Sequence, residues 1–140
     1  MDSIKFVSRF CLFLIIVVGL LVTSIGRADD WSQWRGNDLR SISNGPAVPV
    51  EFDQANQMLW RFSMPGTAGS SPIVCGDRVF ATSVDGDELV LICVGMDGKL
   101  RWKRLLEGND IKSRDGANAA SPSPSTDGEH VWTMMGNGML

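Results

Sequence analysis

Few side chains in this sequence are suited to catalysis or metal binding. The 140 residues include one histidine, His130, and three cysteines. A serine, histidine and aspartate triad would rest on His130 alone and has no independent support. The chain has no CxxC, HExxH or GxGxxG motif, the patterns of thiol redox, zinc and dinucleotide sites. The chemistry that remains is that of charged side chains on loops.

Two groups of charged residues stand out, one in the turn D-G-D-E and one in the polar stretch 107–120. The turn offers carboxylates to calcium, but it lacks the further oxygen ligands of an EF-hand spacing, so we predict a solvated turn. Together the two groups form a candidate binding rim. The rim consists of Asp85, Asp87, Glu88, Asp110, Arg114 and Asp115.

An internal repeat determines where these loops lie. A shift of 52 residues superposes its two copies without a gap. The aligned pairs are Ser71 with Ser123, Pro72 with Pro124, Gly76 with Gly128, Phe80 with Trp132 and Gly86 with Gly138. Trp60 and Trp102 repeat at 42 residues instead, so the second copy carries ten extra residues before its Ser-Pro pair. These fall in the stretch 107–120.

Short apolar segments between turn residues predict strands at 71–74, 78–83, 89–94 and 100–105, with a further one at 59–62. Asp97-Gly98 suits the positive φ angles of a type I′ turn. The third segment is apolar throughout, which indicates that both of its faces are covered. In an antiparallel meander the loop after the second strand and the loop after the fourth share one end. The rim residues are therefore expected to lie together, and such loops are often a binding face.

The same strand order bears on the cysteines. Cys75 and Cys93 are separated by one strand, or about 9–10 Å. Disulfide geometry fails beyond about 7 Å between Cα atoms. We therefore predict two free, buried thiols that serve as small core residues.

A four-stranded sheet that is covered on both faces and repeated every 42 or 52 residues is what a β-propeller blade requires. We predict an all-β fold, a β-propeller of four-stranded antiparallel blades. Residues 59–140 hold about one and a half blades, whereas a closed propeller has about 4–8. We expect them to be an incomplete repeat region, and the chain to be a fragment.

Residues 1–28 have the layout of a signal peptide, with Lys5 and Arg9 before an apolar run and Ala28 before the cut. The alternative is an uncleaved membrane anchor, since the run is only slightly shorter than the roughly 17–25 residues of a spanning helix. Either form predicts an exported protein, in the periplasm or outside the cell. Cleavage leaves 10 of the 13 basic and 15 of the 16 acidic residues. This acidic balance argues against a nucleic-acid or anionic-membrane partner.

Residues 29–58 are polar and show no sustained period, which indicates an irregular arm. Its two tryptophans, Trp31 and Trp34, are predicted to dock on the repeats, because packing is the commoner use of such side chains. The alternative is a platform for carbohydrate.

The repeat resembles the blades of the pyrroloquinoline-quinone-like (PQQ-like) propeller proteins, a family that includes the outer-membrane assembly factor BamB. The matching positions are Ser71-Pro72, Ile73-Val74, Gly76-Asp77, Val79-Phe80, Asp85-Gly86, the strand 89–94, Gly98-Lys99 and Trp102. The lead-in W-S-Q-W-R-G from Trp31 also looks like the start of exported bacterial members. The resemblance covers nearly all of the chain after residue 28.

The resemblance implies either a scaffold or a quinone enzyme. The family's enzymes hold the quinone beneath adjacent cysteines and bind calcium through acidic and amide side chains. Cys75 and Cys93 are not adjacent, so no cofactor is supported in this chain. Our leading hypothesis is a non-catalytic, exported scaffold that binds a protein or peptide. The alternatives are a PQQ-dependent dehydrogenase whose cofactor residues lie elsewhere and, more weakly, a carbohydrate-binding or glycosidic propeller.

The signal peptide can be tested directly. Mass spectrometry of the protein exported by a bacterial host should find Asp29 as its first residue. Ala28→Arg should block processing, because the residue before the cut must be small, while Ala28→Gly should be cut normally. Exported protein that still begins at Met1 would support the membrane anchor instead.

Overall fold

The computed structural model describes residues 30–45, 50–106 and 118–140. In these ranges it has one short helix, α1 (Gln54–Gln57), and six strands. The strands are β1 (Ile73–Cys75), β2 (Arg78–Asp85), β3 (Glu88–Gly95), β4 (Leu100–Leu106), β5 (Ser125–Thr126) and β6 (Val131–Trp132). No helix within the described ranges is both long and apolar enough to span a bilayer. The predicted signal peptide lies outside the described residues.

Strands β1 to β4 form one antiparallel sheet in the order of the sequence. This confirms the predicted meander and the all-β class, with one four-stranded blade followed by the first two strands of another. β2 and β3 are longer than predicted, since Asp85 pairs directly with Glu88. The loop between them is therefore only Gly86 and Asp87.

Glycine opens the first two hairpin loops. Gly76 and Gly86 both have a φ of 61°, the conformation that a two-residue loop with glycine in first place requires. The prediction of a type I′ turn at Asp97-Gly98 was wrong. Gly98 has a φ of 75° but Asp97 does not have positive φ, and the Gly98 N–H donates to the Gly95 carbonyl. Because the Gly95 N–H also donates to the Lys99 carbonyl, the loop between the paired residues is 96–98, three residues with glycine last. The β3–β4 register shifts between Cys93 and Val94.

β3 is buried along almost its whole length, from Leu89 to Gly95. On one face Leu91 and Cys93 pack with Phe80 and, at the edge, with Trp102. On the other face a second cluster packs against two aromatic side chains. It contains Val90, Ile92 and Val94, with Trp60 and Phe62 against them. The prediction that both faces of this strand are covered is confirmed.

Both cysteines of the described residues are free and buried, as predicted. Cys75 and Cys93 belong to the same core cluster but lie in β1 and β3, with β2 between them. Burial raises the pKa of the Cys93 thiol. The thiol therefore stays protonated near neutral pH, and a protonated thiol is a poor nucleophile.

The second copy of the repeat has the same strand register as the first. The pairs Ile73–Phe80 and Val74–Val79 correspond to Ser125–Trp132 and Thr126–Val131, each displaced by 52 residues. The turn glycines also keep their conformation, since Gly128 and Gly138 have positive φ like Gly76 and Gly86. The repeat seen in the sequence is thus a repeat of structure.

Residues 59–62 do not form the predicted strand. Trp60 and Phe62 pack on the sheet, but within the described ranges no strand lies beside this segment to pair with it. Side-chain pattern alone does not make a strand, because its backbone groups need partners. The arm also contains α1, which is capped by the Asp53 side chain and is too short to produce a period in the sequence.

The turn at Gly98 should be intolerant of a side chain. A Cβ on Gly98 would lie 2.7 Å from the Trp60 Cβ, whereas a Cβ on Gly86 would meet nothing within 4 Å. Both positions have positive φ, which costs about 1–2 kcal/mol for a residue other than glycine. We expect Gly98→Ala to lower the free energy of unfolding by more than Gly86→Ala does. Urea denaturation followed by tryptophan fluorescence measures both, and equal losses would contradict the Trp60 contact.

Candidate functional site

Half of the predicted rim lies in the described residues. Asp85, Asp87 and Glu88 lie at the β2–β3 hairpin. The other three, Asp110, Arg114 and Asp115, lie outside the described residues. Their proximity to the hairpin stays a prediction.

Asp85 is paired within the sheet. Its carboxylate accepts a hydrogen bond from the Lys103 ammonium group of β4. The register places Lys103 opposite Ile92 and Ile92 opposite Ala81, on the same face of the sheet as Asp85. This contact raises the pKa of Lys103, first through the hydrogen bond and then through the charge of Asp85. Asp87 and Glu88 remain as exposed carboxylates at the tip of the hairpin.

The arm forms a contact that the sequence did not predict. Trp31 pairs with Val74 on the edge of β1, with its N–H 2.8 Å from the Val74 carbonyl and its carbonyl 2.9 Å from the Val74 N–H. The Ser32 carbonyl accepts the Thr126 N–H of β5 at 2.9 Å. Val74 and Thr126 are equivalent positions of the two copies. Two successive residues of the arm therefore join the first strands of both repeats.

Side chains fix the arm in this position. The Asp30 carboxylate accepts the Gly76 N–H at 2.7 Å. The Asn37 side chain accepts hydrogen bonds from the backbone N–H and the hydroxyl of Ser32, and it donates to the Asp30 carbonyl. We call the edge formed by Val74, Gly76 and Thr126 the inner-edge site.

The two arm tryptophans have different environments. Trp31 is half-buried and lies against Gly36, where a Cβ would stand 3.0 Å from its ring. Trp34 is 59% exposed, with the Arg35 guanidinium 5.4 Å from its ring centre. Trp31 thus docks on the repeats as predicted, but through its backbone, and the docking prediction is wrong for Trp34. The chain turns sharply directly after Trp34, with a φ of 67° at Arg35 and 81° at Gly36.

The Ser-Pro positions and their neighbours hold the two copies together. The Ser71 N–H donates to the Ser123 hydroxyl at 2.8 Å, between equivalent residues of the repeat. The buried Thr82 hydroxyl lies 2.8 Å from the Ala120 carbonyl and 3.2 Å from the Pro122 carbonyl. These polar groups are used in packing and are not available to a ligand.

His130 takes part in a turn. Its Nδ1 lies 3.3 Å from an Asp127 carboxylate oxygen. The other oxygen accepts the backbone N–H groups of His130 and Glu129, and these bonds lower the pKa of Asp127. Both side chains are exposed. The pair stabilises the β5–β6 hairpin.

The described residues do not fit the quinone cofactor of the family's enzymes. Cys75 and Cys93 are buried in different strands, so they cannot form the ring of adjacent cysteines. In the part of the chain that the structure describes, no three histidine, cysteine or acidic side chains form a metal-binding group. Any cofactor would have to be held by other residues.

Comparison with known proteins gives one informative similarity. The chain is 29% identical over 85 residues to a polyvinylalcohol dehydrogenase from Sphingopyxis sp. strain 113P3. The match covers 60% of this chain and 13% of the relative, so the chain spans a small part of that protein. No family model matches the chain, and no solved structure matches it significantly. The similarity is consistent with a PQQ-like family and is not specific to BamB.

The ion pair between Asp85 and Lys103 predicts a change of the Lys103 pKa when Asp85 is replaced. Because Asp85 raises the Lys103 pKa above its ordinary value of 10.5, the pair stabilises the fold below that pH. This stabilisation is lost as the pH rises through the folded-state pKa. Asp85→Asn should lower the Lys103 pKa in an NMR titration of the lysine side chains. Asp87→Asn is the matched control and should leave it in place, whereas a Lys103 pKa unchanged by Asp85→Asn would refute the pairing.

Proposed function

We propose that this chain is part of an exported, non-catalytic β-propeller scaffold that binds a protein or a peptide. The observation that carries this proposal is the use made of the repeated residues. Positions that recur at 52 residues form strand pairs, positive-φ turns and bonds between the copies. They build a frame, and none of them presents a reactive group to solvent.

Two surfaces of this frame are candidates for binding a partner. Asp87 and Glu88 project from the β2–β3 hairpin, and the arm lies along the inner-edge site. Loops at one end of a repeat array and free strand edges are the usual places where such proteins bind partners. A protein or peptide ligand suits both surfaces.

We assign three regions to the chain on this basis. Residues 1–28 are a signal peptide, or an N-terminal membrane anchor in the alternative form, residues 29–58 are the arm, and residues 59–140 are the propeller repeats. The scaffold then works in the periplasm or outside the cell. A BamB-like role in outer-membrane assembly is one form of this proposal.

A PQQ-dependent dehydrogenase is the second candidate. The similarity to polyvinylalcohol dehydrogenase favours it. In that case the described residues would serve as structural blades. Residues elsewhere in the protein would hold the quinone and its calcium ion.

The two functions make opposite predictions for catalysis. The purified full-length protein, including any blades beyond this chain, is incubated with PQQ and calcium and assayed by dye reduction with primary alcohols, sugars and polyvinyl alcohol as substrates. The scaffold predicts the same rate as with calcium alone. Turnover that requires the quinone would overturn the scaffold and establish the dehydrogenase.

A further inference from the structure

We propose that the inner-edge site binds an extended peptide of a partner protein, and that the arm of the same chain occupies this site until the peptide displaces it. The proposal rests on the scaffold function above and specifies its ligand. The ligand is an extended segment that begins with an acidic residue and pairs with the edge through the backbone of the two residues that follow.

The backbone of the inner-edge site is that of an open strand edge. β1 pairs with β2 on one side only, and both the N–H and the carbonyl of Val74 point to the other side, where they meet Trp31. The Thr126 N–H of β5 points the same way and meets Ser32. Groups of this kind are a template for an added strand. The arm shows that the template accepts a peptide in extended conformation.

The inner-edge site also binds a side chain of the arm. Gly76 follows β1 in a positive-φ turn, and its N–H is 2.7 Å from the Asp30 carboxylate. An acidic residue immediately before the paired residue is therefore recognised. Residue 31 meets the edge through its backbone, while the Trp31 ring lies against Gly36 of the arm itself. A peptide with this pattern makes the same contacts as the arm.

The inner-edge site extends over the first strands of both copies of the repeat. Because Val74 and Thr126 are equivalent positions, the two copies present the same backbone groups side by side. Residues 31 and 32 of the arm reach both. A bound peptide would bridge the two repeats within two residues, which a single strand edge does not offer.

The arm is suited to exchange. Three backbone hydrogen bonds and the Asp30 carboxylate join its described part to the site. The other bonds of Asn37 and Gly36 lie within the arm itself. A competing peptide can replace the contacts to the site one for one, and the sheet needs no change.

The test measures binding of a fluorescein-labelled peptide, D-D-W-S-Q-W-R-G-N-D, to the full chain by fluorescence anisotropy. The double variant Trp31→Ala, Asn37→Ala weakens the arm and should bind the peptide at least tenfold more tightly than the unaltered protein. Trp34→Ala is the matched control. It changes the exposed tryptophan of the arm and should bind like the unaltered protein.

A second pair of variants tests the strand edge. On the weakened-arm background, Val74→Pro removes the N–H that meets the tryptophan carbonyl, and proline is tolerated where that N–H faces outward from an edge. Val74→Ala keeps the N–H. We expect the Pro variant to bind at least tenfold more weakly than the Ala variant. Should the Pro variant fail to fold, a peptide with an N-methylated Trp31, which lacks the donor to the Val74 carbonyl, tests the same edge and should bind at least tenfold more weakly.

Each result has a defined meaning. Failure of the weakened-arm variant to bind the peptide, or equal binding by the Pro and Ala variants when both are folded, would overturn the proposal. A dimer formed by arm exchange and broken by the peptide would overturn it in favour of self-association. If the peptide does not bind, the scaffold function still stands on its candidate rim. If turnover requires the quinone, the scaffold function is overturned even when the peptide binds.

Discussion

Burial of β3 on both faces is the constraint on which the rest of this structure depends. Its apolar side chains are shielded on one side by Phe80 and Trp102 and on the other by Trp60 and Phe62. Burial of one such side chain contributes about 1.5–3 kcal/mol, so an uncovered face would be costly. A sheet of this kind needs a neighbour on each side, and repetition of the same unit provides neighbours of matching shape. The hydrogen bonds from Ser71 and Thr82 then fix the two copies at one spacing.

The features that sequence could predict are those set by local chemistry. Uninterrupted apolar residues indicated β3, glycine marked the hairpins, and strand order alone separated Cys75 from Cys93. The prediction of a type I′ turn at Asp97-Gly98 was wrong because an Asp-Gly pair is compatible with more than one loop length. The register of the flanking strands determines which loop forms. The strand prediction for 59–62 was wrong because the apolar pattern of this segment predicts burial, which the structure confirms. The pattern does not predict a backbone partner.

The candidate site was predictable in part for the same reason. The acidic hairpin at Asp87 follows from the meander, so its position on the rim could be worked out from the strands. The Asp85–Lys103 pair depends on which face each residue occupies, and the register of β2, β3 and β4 places both on the Ile92 face of the sheet. The inner-edge site was missed altogether, since the contacts of Trp31 and Ser32 there are made by backbone atoms.

The contact between the arm and both repeats also sets an order of events during folding. Val74 can be reached as soon as the first sheet has formed, but Thr126 comes almost at the end of the described chain. Contacts between residues so distant in sequence form late, because the intervening chain must be ordered first. The arm is therefore synthesised before the repeats but reaches its final position after they have folded. Its hydrogen bond to Thr126 forms only when the two repeats lie side by side, so the arm joins their first strands after both have folded.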